Sequence, residues 1–168
     1  MKPPPKPGDQ ADLVVYLDAN MPELRPCGKG CQSRANYPCR HRFGERIWVI
    51  SDQARISFAM LADLQVFLDF VYIIHRKWCD RKGCARKKRF VIMTHDKTFV
   101  AAASALSTTA RYKRLPVTFG PDWIQYQHGK RAIRVEVHAF NLPHADRDRD
   151  IMHVVHAARA MRGSADPS

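Results

Sequence analysis

No segment of the chain reaches the roughly 18 uninterrupted apolar residues of a membrane-spanning helix. The stretch 53–77 comes nearest, and Asp63, Gln65 and Asp69 interrupt it. The first ten residues, MKPPPKPGDQ, lack the apolar centre of a signal peptide and read as a Pro-rich, extended lead-in. No membrane association and a cytoplasmic location are therefore expected. There is no internal repeat, no glycine-rich phosphate loop and no Ser-His-Asp order. The cysteines number five, an odd count that argues against a complete disulfide framework. Acids are scarce: 16 Asp and Glu stand against 28 Lys and Arg, a net charge of +12.

That charge, with an isoelectric point near 9.9, favours a polyanionic partner such as nucleic acid, the alternative being a generically basic protein. The 168 residues suit one domain able to bury its own core. Residues 1–11 are set aside as lead-in, 12–162 as a single α/β domain and 163–168 as a tail.

The chain is organised around Arg89–Phe99, RFVIMTHDKTF. Phe90–Met93 is a short apolar run after a charged loop, the pattern of a strand buried on both faces of a parallel sheet. Asp96 then stands just past its C-terminal end, where open α/β sheets bind ligands. The run Leu13–Leu17 leads in the same way into Asp18. Two carboxylates delivered to one sheet edge favour a hard divalent cation such as magnesium or manganese.

VVYLDANMP followed by FVIMTHDKTF resembles the PIN-like domains, small members of which carry L-D-x-N-x-P after the first strand and T-x-D-x-x-F after a later one. The resemblance covers about residues 12 to 120. It implies a three-layer α/β/α fold with a mostly parallel central sheet, and a metal-dependent ribonuclease of the kind found as toxins of toxin–antitoxin systems. An antitoxin protein as partner follows from the resemblance alone. Such proteins supply a middle acid from a helix between the two strand-end acids, which here points to Asp63. They also often carry acids where this chain has Ala19 and Thr98.

Asp63 has a bottom-up argument as well. In a helix over about 53–77 it falls among Ile56, Met60, Val66, Phe67, Phe70 and Ile74. A carboxylate on an apolar face needs a partner, such as a metal shared with Asp18 and Asp96; the other readings are a salt bridge to an arginine or a place at the rim of the core. Asp69 falls instead with Gln65, Tyr72 and Arg76 on a solvent-compatible stripe.

Residues 23–46 form a basic, irregular insert carrying Cys27, Cys31, Cys39 and His41. Three thiols and an imidazole suit a structural zinc ion, although the spacing is not that of paired knuckles, and reduced unligated thiols are the other reading. Residues 76–89, RKWCDRKGCARKKR, hold Arg76, Lys77, Arg81, Lys82, Arg86, Lys87, Lys88 and Arg89 against one Asp. Such a run neutralises phosphates without reading sequence, and Trp78 offers a stacking surface. The alternative is a solvated loop.

After a small-residue helix from Phe99, Leu115–Phe119 reads as a strand, with Asp122 just beyond it as a fourth candidate acid or a plain turn residue. Trp123–Gln127 and Arg131–Phe140 flank His128-Gly129-Lys130 and read as an antiparallel hairpin at the sheet edge. Residues 151–161 read as a C-terminal amphipathic helix. Two functions fit: a metal-dependent nuclease with Asp18, Asp63 and Asp96 as its carboxylates, or a non-catalytic nucleic-acid-binding protein on the same fold.

Overall fold

The computed structural model describes residues 11–18, 43–44, 46–51, 63–79, 88–139 and 154–161. The zinc candidates Cys27, Cys31, Cys39 and His41 lie outside them, as do Arg81, Lys82, Arg86 and Lys87 and the first half of the expected central helix.

The protein is α/β. Six strands form one mixed sheet: β1 (Leu13–Leu17), β2 (Ile47–Ser51), β3 (Arg89–Thr94), β4 (Val117–Phe119), β5 (Trp123–His128) and β6 (Arg131–Ala139), in the order β2-β1-β3-β6-β5-β4. The pairings β1–β2, β1–β3 and β3–β6 are parallel, and β4–β5 and β5–β6 are antiparallel. The helices are α1 (Asp63–Ile74), α2 (Phe99–Ser107) and α3 (residues 154–161). A single π-helical turn, His75–Cys79, extends α1.

The apolar runs behave as strands covered on both faces. Val14 and Tyr16 of β1, with Phe90 and Ile92 of β3, pack against Phe67, Phe70 and Ile74 of α1 and Phe99 and Ala103 of α2. The alternating residues, Leu13, Val15 and Leu17 with Val91 and Met93, pack against Val154, Val155, Ala158 and Met161 of α3. Strands with both parities apolar need such cover on either side, which the two clusters supply. The spacing Val66, Phe67, Phe70 and Ile74 is the helical stripe that seats α1.

The structure alters several expectations. The β5–β6 hairpin forms, turning at Gly129 with φ +59°, but β6 pairs with β3, so the hairpin is built into the sheet and β4 takes the margin. The hydrogen bonds explain the placement: β6 is nine residues long and has a backbone ladder on each side. Trp78 is fully buried against Phe90, with ring centroids 5.9 Å apart, so it is part of the core and gives no stacking surface. Asp69 is not simply solvated: it accepts a 2.7 Å hydrogen bond from the hydroxyl of the buried Tyr16.

Arg89 also changes role. Its Nε and Nη2 meet both carboxylate oxygens of Glu136, and Nη1 donates to the Met161 carbonyl at 2.8 Å. The guanidinium joins β3, β6 and α3, which withdraws it from the cations offered to a phosphate. The Arg89 hydrogen bond holds the Glu136 carboxyl below its usual range, against the opposing effect of burial. A depressed carboxyl pKa contributes stability that is present above the ordinary value of 4.5 and is lost as pH falls through the native one. Glu136→Gln is expected to cost about 1–2 kcal/mol at pH 7, the pair being partly exposed. The deficit should shrink by pH 3. Urea melts at the two pH values test this, and equal stability at pH 7 would show that the clamp contributes nothing.

Candidate carboxylate site

The parallel pairing of β1 and β3 sets Leu17 opposite Met93, so both strands end at one level. The backbone N–H of Asp18 extends the ladder by donating to the Met93 carbonyl at 3.0 Å. β1 connects towards β2, on one side, and β3 towards the β4–β6 half, on the other. The C-terminal ends of β1 and β3 are thus the place where the strand order reverses, the usual position of a ligand crevice.

Asp18 and Thr94 are the two polar side chains buried in the core among the described residues. The Thr94 hydroxyl donates to Asp18 Oδ2 at 2.8 Å and its Oγ1 accepts from the Asp96 N–H at 3.0 Å. One threonine therefore fixes both strand-end acids. Asp96 Oδ1 in turn accepts from the backbone N–H of Thr98 at 2.9 Å and from its hydroxyl at 2.7 Å. These bonds make a local Asx-type turn at the start of α2. The Thr98 hydroxyl chiefly holds the Asp96 carboxyl below its ordinary range.

Asp63 opens the described part of α1 and joins these acids. Its carboxyl is within hydrogen-bonding reach of Asp96 and within charge range of Asp18. Burial, that hydrogen bond and the repulsion of Asp96 and Asp18 push its pKa up to about 7. The expected convergence of Asp18, Asp63 and Asp96 rests on that electrostatic influence.

Asp122 does not join the three. It is exposed in the turn between β4 and β5, where its carbonyl accepts from the Val137 N–H at 2.8 Å. It lies across an open cleft of about 560 Å³ from Asp96, with Phe99, Phe119 and Pro121 among the apolar walls and Lys97 at the rim. The Gly120 wall is closely fitted: a Cβ there would fall 2.1 Å from the Trp123 ring.

An all-oxygen donor set suits a hard divalent ion, and a third carboxyl forced to keep its proton marks a place short of positive charge. Among the described residues, however, no three His, Cys, Asp or Glu side chains are arranged to cage an ion as they stand. The acids suit a magnesium or manganese ion by donor type, not by a preformed cage.

Sequence reasoning missed Thr94 and Thr98. The spacing T-x-D-x-T carries the signal, since threonines two residues either side of an Asp are placed for local side-chain to backbone bonds. Of the basic stretch 76–89, Cys79 and Lys88 lie at the N-terminal edge of β3, whereas Asp96 lies beyond the C-terminal edge. The six residues of β3 separate those described positions by roughly 20 Å at about 3.3 Å each. Comparison with family models, with curated proteins and with solved structures found no match.

The Asp63 shift has a pH signature. A carboxyl whose pKa is raised on folding contributes most stability below its unfolded value and loses it as pH rises through the folded one. Asp63 should therefore lower stability progressively from about pH 3.8 to about pH 7. Without metal, Asp63→Asn is expected to raise the urea midpoint at pH 8 and to leave it unchanged below pH 4. Parallel wild-type and variant profiles across that window would show that the acids do not crowd Asp63.

Proposed function

We propose that the protein is a metal-dependent nuclease acting on RNA, built on a three-layer PIN-like α/β/α frame. The observation that supports this reading is the delivery of Asp18 and Asp96 to one edge, tied together by Thr94 where β1 and β3 end, with Asp63 under the influence of both. Asp18 and Asp96 would be direct ligands of magnesium or manganese, and Asp63 would complete the set on giving up its proton. When bound, the ion supplies activation of water and neutralisation of the charge that develops on the phosphodiester.

The chain's own groups prepare that site. Thr94 holds Asp18 at one orientation, and Thr98 holds Asp96 ionised. Asp63, near neutrality, passes between acid and carboxylate, so the cluster accepts a cation without three fixed negative charges having to be buried beforehand. Lys97 at the rim of the adjoining cleft can meet a substrate phosphate. On the same reading the protein is a cytoplasmic toxin restrained by an antitoxin protein.

The second reading, a non-catalytic nucleic-acid-binding protein, draws on Thr98: its hydroxyl is spent on Asp96, so position 98 adds no acid.

The two readings separate in one pair of measurements. With manganese, wild type is expected to cleave RNA, and Asp96→Asn to lose all detectable hydrolysis while staying folded. Manganese at about 100-fold over its Kd should stabilise wild type by about 2.7 kcal/mol, read as a rise in Tm, and should not stabilise Asp18→Asn. No cleavage together with no manganese-dependent rise in Tm would overturn the nuclease and leave the binding protein.

A further inference from the structure

The two edges of the sheet carry opposite charge. Asp18, Asp63 and Asp96 occupy the C-terminal edge of the parallel strands. At the other edge the structure brings together cations from three separate parts of the chain. Arg76 and Lys77 come from the π-helical turn after α1, and Lys88 precedes β3. Lys130 and Arg131 form the tip of the β5–β6 hairpin.

Contacts fix this grouping. The His75 and His128 rings meet at a tilt of 57° with centroids 4.2 Å apart, and Arg131 Nη1 donates to the Cys79 carbonyl at 2.9 Å. The tip therefore sits on the turn that ends α1. Arg114 joins them through Pro116, whose carbonyl accepts from the Gln127 N–H at 2.9 Å close to the same tip.

We infer that this edge, with Arg76, Lys77, Arg114, Lys130 and Arg131, is a docking surface for the phosphate backbone of a single-stranded nucleic acid, separate from the carboxylate site; Lys88 lies at the same edge with its Nζ donating to the Ala11 carbonyl. The chemistry favours a polyphosphate over a lipid surface. Arg76, Arg114, Lys130 and Arg131 are exposed, and Tyr72 is the one exposed large hydrophobic residue among those described. A membrane-binding face needs apolar side chains to insert. A backbone-binding face needs spaced cations alone.

The position has a consequence for substrate, which rests on the nuclease reading. A strand bound at the basic edge must cross roughly 20 Å to reach Asp96, the length of β3. At about 3.4 Å per phosphate along one strand, that is about six nucleotides, and fewer if the strand is extended. Oligonucleotides shorter than the span engage one edge or the other. Longer ones engage both.

The test is a binding titration in EDTA, where no hydrolysis is required, with a single-stranded RNA 20-mer and 3-mer across a salt series. Wild type is expected to bind the 20-mer with a steep salt slope and the 3-mer at least tenfold more weakly. Arg114 and Lys130 are exposed and make no ion pair among the described residues. Their combined change to Gln should flatten the 20-mer slope by about 1.4 units, at roughly 0.7 per single-strand phosphate contact. The control removes two exposed cations elsewhere, Arg134→Gln and Arg159→Gln, and should flatten it less. Equal loss in both double variants would show diffuse attraction and overturn the surface. Binding to phosphatidylserine vesicles with no binding to the 20-mer would overturn the choice of partner. Because no cleavage enters the measurement, a failed manganese assay leaves this result standing, and the reverse also holds.

Discussion

The structure depends on the in-register parallel pairing of β1 with β3. Parallel strands cannot be joined by a tight turn, so each must be buried on both faces by the connections that lead away from it. That requirement accounts for the unbroken apolar runs 13–17 and 90–93 and for the helices that cover them. It also places Asp18 and Thr94 where the ladder ends. A polar residue has to follow each run, because the chain leaves the core there, and the two exits are neighbours. Thr94 then fixes the geometry, since one hydroxyl both donates to Asp18 and accepts from the Asp96 N–H.

Two ways of handling charge coexist in the fold. Glu136 and Arg89 face each other with bidentate geometry, and each gains from the other's charge. At the strand ends Asp63 lies under the repulsion of Asp96 and Asp18, which together with burial raises its pKa. The first arrangement satisfies itself and holds β3, β6 and α3 together. The second leaves one carboxyl perturbed, and perturbations of that kind cluster at functional sites.

Much of this was legible in the sequence, for identifiable reasons. Strands buried on both faces leave an unmistakable run of apolar residues, so β1, β2 and β3 and the acids that follow β1 and β3 could be read directly. Asp63 was singled out because helical phase set it among residues expected to be buried. What escaped were the facts that depend on partners distant in sequence. Trp78 looks available beside basic residues, yet the turn that ends α1 folds it onto Phe90. Arg89 looks like one cation in a run, yet register brings Glu136 to it. The hairpin looked peripheral because its own pattern is two-sided, and nothing local shows that β6 also pairs with β3. The distance between the basic run and the acids is a matter of strand direction. Residues adjacent in sequence to β3 lie at either end of it, and the ends face opposite ways.

β4, three residues long, forms one margin of the sheet among the described residues. A margin is where a sheet can go on growing, because its outer peptide groups point away from any partner. A strand this short offers a visiting chain scarcely one repeat of the ladder, and its middle residue, Thr118, is exposed and polar. The whole molecule is also strongly positive, so two copies approaching edge to edge repel before they touch. The features that load the surface with positive charge thereby also discourage the protein from polymerising through its own sheet.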